Sequence, residues 1–381
     1  MTTPVIVHAK RTAIGKVGGM FKHINPERLG ASVIESLIEE TEIDPQMIDE
    51  VILGNAVGPG GNLARLTALT AKLPVNVPAV TVDRQCGSGL EAINIACRNI
   101  QAGAGDIYIA GGVESSSRAP WKLEKPLTLY DAPTLFTRAR FSPDFIGDPD
   151  MGVAAENVAE AYRISRQEQD EFAYSSHQKA LQAQKENRFA EEMVVVNGEQ
   201  HDECPRPRLS MRKLRRLQPI FKEGGTVTAG NACPINDGAA AVLIMSEQTC
   251  LKLGLQPILK FVDATSAGVD PNLLGIGPIP AVKKLLKRNQ LTIQEIDLVE
   301  FNEAFASQVL ASIKELHIPQ NRLNIGGGAL AFGHPYGASG AVLVTRLCTE
   351  IKRTGKNRGL ATLGIGGGLG LATLFERYDE Q

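Results

Sequence analysis

Two glycine-flanked turns carry side chains that could form one nucleophilic centre. Cys86 sits in Asp83-Arg84-Gln85-Cys86-Gly87-Ser88-Gly89, and His334 in Gly333-His334-Pro335-Tyr336-Gly337-Ala338-Ser339-Gly340. A thiol attacks carbon efficiently only when a base takes its proton, and imidazole suits that transfer near neutral pH. A cysteine just before a helix also meets free backbone N–H groups and the positive end of the helix dipole, which favour thiolate over thiol. A lone cysteine is more commonly a small packed apolar residue. The glycine-flanked turn argues for a reactive one, as the surrounding glycines do for His334. The other histidines, His8, His23, His177, His201 and His317, lie outside such turns.

The elements that must position these turns come in two copies. Leu37 to Gly54 aligns without gaps on Leu285 to Asn302, with Leu37, Ile43, Ile48, Asp49 and Val51 matched by Leu285, Leu291, Ile296, Asp297 and Val299. Each copy reads as helix, short turn and buried strand. A second unit follows in each half. Val80-Thr81-Val82 reads as a strand, Cys86 to Gly89 as a turn and Leu90 to Gln101 as a helix. Leu90, Ile93, Cys97 and Ile100 fall on one face of that helix, and Gly103 stops it. Ile107 to Ala110 is the next strand. In the other half Leu323-Asn324-Ile325 reads as the strand, Ser339 as an N-cap, Leu343, Leu347 and Ile351 as a helix stripe, and Leu360 to Ile365 as the following strand. Alternating strands and helices imply an α/β fold with parallel or mixed sheets. Duplicated halves imply two sheet layers sharing a central helix layer, with the site at their junction.

The chain has 381 residues, 43% apolar and 22% charged, which is ordinary for a soluble globular protein of two or three domains. A net charge of -2 gives no general affinity for nucleic acid or anionic membrane. Six cysteines, at 86, 97, 204, 233, 250 and 348, show no Cys-x-x-Cys spacing. That argues against a metal site and a disulfide framework and for a reducing, cytoplasmic setting. Met1 to Lys10 lacks the apolar core of a signal peptide, and Tyr378-Asp379-Glu380-Gln381 is no peroxisomal address. Gly359 to Phe375 is apolar but glycine-broken and too short for a bilayer, so it reads as a buried strand with a loop.

Between Ser117 and about Asn231 the repeat breaks. One clear helix, Arg166 to Asn187, stands among prolines and polar turns. The stretch reads as an insertion over the site, giving a division into 1–116 plus 232–256, 117–231 and 257–381. Its basic segment, Arg206-Pro207-Arg208 and Arg212-Lys213-Leu214-Arg215-Arg216, reads equally as a solvated charged face or as a clamp for a polyphosphorylated ligand.

These residues, with Lys10 to Lys16, Gly111 to Ser115, Thr226 to Ala232, Asn236 to Ala240, Asn302 to Ala306 and Gly326 to Gly340, resemble the thiolase family over essentially the whole length. The family comprises acetyl-CoA acetyltransferases and 3-ketoacyl-CoA thiolases. The resemblance implies a five-layered αβαβα fold of two duplicated halves with an inserted loop domain. It further implies homodimers or homotetramers, with Trp121 to Phe145 long enough for an assembly loop. Coenzyme A and acyl-CoA would be substrate and product, with no permanently bound cofactor, metal, nucleic acid or membrane partner. Cys86 would be the acylated nucleophile and His334 its proton acceptor. Asn302, which on its own could simply be a turn former, would hold an oxyanion-hole water. The backbone amides of Cys86 and Gly366 would form a second oxyanion hole. Met151, Arg206, Lys213, Phe221, Ala229 and Phe305 would line the coenzyme path. Cys233 stands where the family commonly has serine, and would either pack beside the pantetheine arm or act as a second thiol.

The chain departs from the family at Leu363-Gly364-Ile365-Gly366-Gly367-Gly368, where Gly364 takes the place of a second catalytic cysteine. Claisen condensation needs a base for an α-proton, and thiolysis an acid for the same carbon; glycine supplies neither. Three expectations stand. His334, Cys233 or an ordered water replaces the missing group in acetyl-CoA C-acetyltransferase-like chemistry. Alternatively, the acyl group passes from Cys86 to another acceptor, including water, without C–C bond chemistry. Or the chain is a non-catalytic acyl-CoA-binding subunit, against which the intact Cys86 and His334 turns count.

Overall fold

The structure, a computed structural model, describes residues 2–379; Met1 and Glu380-Gln381, the end of the C-terminal run read above, lie outside the described residues. The elements that build the site are β1 (Pro4–Thr12), α1 (Pro26–Thr41), β2 (Glu50–Gly54), β3 (Ala79–Val82), α2 (Ser88–Ala102), β4 (Ile107–Ser115), α3 (Met151–Ala161), α4 (Arg166–Lys185) and α5 (Met211–Arg215). The second half adds β5 (Asn236–Ser246), β6 (Leu259–Gly268), α6 (Pro278–Arg288), β7 (Leu298–Phe301), α7 (Ala306–Leu316), α8 (Tyr336–Thr354), β8 (Arg358–Ile365) and β9 (Leu369–Arg377).

Hydrogen bonding runs along the path β7-β8-β9-β6-β1-β5-β4-β2-β3, within an eleven-stranded sheet among the described residues. The path shows the duplication directly. In one half β2 pairs in parallel with β4, β4 antiparallel with β5, and β5 antiparallel with β1. The other half repeats this as β7 with β8, β8 with β9, and β9 with β6. Even the irregularity is copied: β1 is bulged between Ile6 and His8, and β6 between Phe261 and Asp263. The halves meet at a short seam, Val5 opposite Lys260 and Ile6 opposite Leu259.

Helices cover both faces, because the central strands are apolar on both sides. Helices α2 and α8 lie between the half-sheets, in one buried cluster that includes Leu90, Ile93 and Cys97 from α2 and Leu343, Leu347 and Ile351 from α8. Helix α1 buries Leu29, Val33 and Leu37 on the outer face of the first half. Helices α6 and α7 do the same for the second, with Leu285, Val309 and Ile313. The result is the expected order of five layers, helix–sheet–helix–sheet–helix. The middle helices approach closely because glycines face each other. A Cβ on Gly89 would lie 2.7 Å from Gly337 O, and one on Gly340 would lie 2.3 Å from Leu90 N. Those contacts clamp together the two helix starts that follow Cys86 and His334.

Three local expectations are corrected. Leu323 to Ile325 is not a strand; only Leu323 bridges Val299. Asn324, at φ 41°, uses its side chain instead, accepting from Phe301 N at 2.8 Å and donating to Phe301 O at 2.8 Å. The amide group thus mimics a strand's backbone and releases the chain. Ser339 is not an N-cap, because α8 begins at Tyr336 and places Ser339 inside its first turn. Gly359 to Phe375 is not one strand with a loop but two antiparallel strands, β8 and β9, joined by Gly366-Gly367-Gly368.

The chain between β4 and β5 leaves the path and carries α3, α4 and α5. Helix α4 starts at a capping box between Ser165 and Glu168. A buried charge network fastens this insertion to the sheet. Arg11 on β1 donates to Glu192 Oε1 at 2.7 Å and to Asp202 Oδ1 at 2.8 Å. Arg346 on α8 reaches Glu192 Oε1 at 3.2 Å and stacks 3.8 Å over the Phe189 ring. Between Lys122–Glu124 and Thr134–Phe136 runs a small hairpin whose flanks and tip expose Trp121, Leu127, Leu129 and Tyr130.

Candidate active site

Cys86 lies in the turn between β3 and α2, held by hydrogen bonds from Gly87 N to Arg84 O and from Ser88 N to Gln85 O, both 3.0 Å. It lines a pocket of about 260 Å³ with Ala56, Val57, Phe141, Met151 and Tyr336. Burial pushes the Cys86 thiol up to about 12, while the N–H groups of Gly366 and of Cys86 itself work against the rise. The expected preference for thiolate is therefore corrected. Helix dipole and amides are present, but desolvation outweighs them, and the resting group is a thiol. The same two amides are the pair expected to form an oxyanion hole, and both favour a charge on the sulfur.

His334 is buried, and its surroundings define its role. Its backbone N donates to Asn236 Oδ1 at 2.8 Å. Ring Nδ1 lies 2.5 Å from Ser339 Oγ, whose hydroxyl donates to Pro335 O at 3.1 Å. With the hydroxyl proton so used, Nδ1–H donates to Ser339 Oγ and Nε2 carries the lone pair. Asn302 Nδ2 sits 3.3 Å from that Nε2. Burial lowers the His334 pKa to about 3, so the ring is neutral. The resting pair is neutral thiol and neutral imidazole rather than an ion pair. No hydrogen bond joins Cys86 to His334 among the described residues.

A buried carboxylate sets the distance between the turns. Glu114, at the end of β4, accepts from Asn55 Nδ2 at 2.7 Å, Ala56 N at 2.9 Å, Val57 N at 3.2 Å and Gly337 N at 3.0 Å. It satisfies an otherwise orphaned amide at the start of α8 and fixes two residues of the pocket wall. Burial pushes its pKa up to about 7.

The remaining sequence-derived residues fall into two groups. Met151 lines the Cys86 pocket, and burial pushes the Cys233 thiol up, with the nearby Cys86 sulfur adding to the rise. Cys233 N donates to Ala304 O at 2.9 Å, which ties it to the Asn302 loop. Phe221 and Phe305 meet edge to face at 6.1 Å, and Ala232 bridges Phe305. Ala229 is exposed nearby. Arg206 and Lys213 instead line a separate cleft of about 520 Å³ with Lys16, Cys204, Leu214 and Leu217. Gly364 lies on β8 opposite Gly370, two residues before Gly366. Ser339, Asn236 and Glu114 escaped the sequence reading as site residues. All three stand inside the quoted segments, but their positioning of His334 and the pocket shows only once the chain folds.

The family model for the thiolase N-terminal domain matches residues 4–248, and that for the thiolase C-terminal domain matches residues 255–377. A Staphylococcus epidermidis protein named "Putative acetyl-CoA C-acetyltransferase VraB" is 51% identical over 99% of both chains. Its namesake in Staphylococcus aureus strain MRSA252 is 50% identical over 99% of this chain and all of its own. Among solved structures, the Bacillus anthracis acetyl-CoA acetyltransferase superposes with a TM-score of 0.93 at 37% identity, covering 99% of each chain. Human mitochondrial 3-ketoacyl-CoA thiolase in complex with CoA gives 0.94 at 34% identity, covering 99% of this chain and 98% of its own.

Proposed function

The chain belongs to the thiolase family, and from that premise we propose that it is an acyltransferase of the acetyl-CoA C-acetyltransferase type, working through an acyl-Cys86 intermediate. The turn that sets Cys86 at the start of α2, in a pocket where the Gly366 and Cys86 N–H groups favour a charge on its sulfur, carries this reading. The thiol attacks the thioester carbonyl of an acyl-CoA while His334 Nε2 takes the thiol proton. The oxyanion forms against the Cys86 and Gly366 amides, where preorganised donors act without reorganisation. The C–S bond to CoA breaks, and the departing thiolate collects the proton from His334. Asn302, beside Nε2, would hold a water in the other oxyanion hole during the second half-reaction.

Pantetheine would run past Met151, Cys233, Phe305 and Phe221 towards Ala229. Arg206 and Lys213, paired in their own cleft, would meet the phosphates from the far side. The divided boundaries, 1–116 plus 232–256, 117–231 and 257–381, fit the strand path. The exposed apolar hairpin around Leu127 supports a homodimer or homotetramer, and six free cysteines support a reducing, cytoplasmic setting. Acyl groups of fatty acid metabolism are the natural substrates of such a centre.

Gly364 favours a second reading, in which the acyl group leaves Cys86 without C–C bond chemistry. Acetoacetyl-CoA incubated with the protein and CoA separates the two. Two acetyl-CoA per substrate, abolished by Cys86→Ala, establish the first. Free acetoacetate, or acylated Cys86 without acetyl-CoA, establishes the second.

A further inference from the structure

A cavity of about 20 Å³ lies beside the two supports of His334, with Asn302, Ser339, Glu300 and Arg346 as its polar walls. One water molecule needs about 10–15 Å³ of accessible space and two to four polar partners. Three of the wall groups lack partners. Arg346 directs its Nη groups at Glu192, 3.2 Å away, and Glu350, 3.4 Å away, while its Nε is buried with no hydrogen-bond partner. The Glu300 carboxyl, on β7, is buried and makes no hydrogen bond or ion pair among the described residues. Asn302 turns Nδ2 to His334, and its Oδ1 accepts nothing from the described residues.

Burial pushes the Glu300 pKa up to about 8; the Arg346 cation works against the rise, and Glu350, Glu192 and Glu303 add to it. At neutral pH the carboxyl therefore keeps its proton and can donate. Arg346 Nε–H is a second donor, and a buried donor left unpaired is costly. A water that accepts from both has its lone pairs filled, so its two hydrogens must point at acceptors. Asn302 Oδ1 is one, and Ser339 Oγ, on the same wall, is the other. The direction matters because an amide can turn over. With Oδ1 towards His334, two acceptors would meet at Nε2, and the ring proton would move from Nδ1 to Nε2. An imidazole protonated on Nε2 cannot take the Cys86 proton.

We propose that Glu300 is a positioning residue for His334: through one water in this cavity it holds the Asn302 amide with Nδ2 towards the ring, which keeps Nε2 free for the thiol proton. The inference rests on the acyl-Cys86 reading above and concerns the acylation step. Glu300 touches no substrate in this scheme and acts through the water and Asn302.

The test follows Cys86 acetylation by acetyl-CoA in the full chain, by mass spectrometry, beside crystal structures of the same proteins. Wild type is expected to hold a water within hydrogen-bond distance of Glu300, Arg346 Nε and Asn302 Oδ1. Glu300→Leu removes the donor and should slow acetylation at saturating acetyl-CoA about tenfold, with little change in the half-saturating concentration. Glu300→Gln keeps the shape and an N–H donor and should restore most of the rate. A wild-type structure without that water overturns the proposal, whatever the variants do, and leaves the acyl-enzyme standing. A wild-type rate in Glu300→Leu also overturns it. So does a Glu300→Gln protein as slow as Glu300→Leu, which marks the residue as structural. Absence of acetyl-Cys86 in wild type overturns the acyl-enzyme reading and this one with it.

Discussion

Lowering the pH should destabilise the fold through His334 by an amount the structure sets. The ring is buried and neutral, its pKa lowered from 6.5 to about 3 by desolvation. A histidine whose folded value lies below its unfolded value contributes stability that is full above pH 6.5. The contribution is lost as pH falls towards the folded value, because the unfolded chain binds the proton first. Between pH 7.5 and 5.0 the unfolded ring gains about 1.5 units of protonation free energy that the folded ring does not. At 1.36 kcal/mol per unit this is about 2 kcal/mol. Since pH 5.0 lies well above the folded value, the unfolded pKa alone fixes that figure. Urea unfolding of wild type and His334→Asn at the two pH values isolates it. His177, also lowered by burial, to about 4, stays in both proteins and cancels in the difference. The variant should lose about 2 kcal/mol less than wild type on acidification. An equal loss in both proteins would refute a neutral buried His334. The same reasoning makes the rate of Cys86 acylation flat from pH 7.5 to 5.0; an acid limb near 6.5 would show that the ring titrates as if solvated.

Cys86→Ala should abolish the acyl-enzyme and lower CoA release from acetyl-CoA by a factor of about 10³ or more, read by thiol detection. Ser339→Ala removes the acceptor that holds Nδ1–H and should slow acylation about tenfold or more, with little change in KM for acetyl-CoA. Gly364→Cys needs Gly275 and Gln308 to yield only a few tenths of an ångström, and should raise acetyl-CoA formation from acetoacetyl-CoA and CoA; no gain would show that the missing thiol does not limit the C–C step. Arg11→Met strands Asp202 as a buried charge without an ion-pair partner, leaves Glu192 with Arg346 alone, and should cost about 3–5 kcal/mol in urea unfolding.

The repeat was legible because its evidence is spacing: Leu37, Ile43, Ile48 and Val51 recur as Leu285, Leu291, Ile296 and Val299, and core strands and helices keep such patterns. Leu323 to Ile325 was not, because its apolar run looks like a strand while the Asn324 side chain does the pairing. Ser339 looked like a cap because serine favours that position, whereas its hydroxyl serves His334. The turns of Cys86 and His334 were visible in the sequence, but not the protonation states of their side chains. Those depend on how deeply the turns are buried, which no local pattern records.

The seam between the half-sheets also fixes an order of events during synthesis. Strand β1 sits between β5 and β6, yet both partners follow it by more than two hundred residues. At translation speeds of roughly 5–20 residues per second, Val5, Ile6 and Val7 wait some tens of seconds for a neighbour. Throughout that time a strand destined for the middle of the sheet offers two bare edges to whatever it meets. A nascent chain stalled before Ser246 should therefore occupy a chaperone, and one stalled beyond Gly268 should release it.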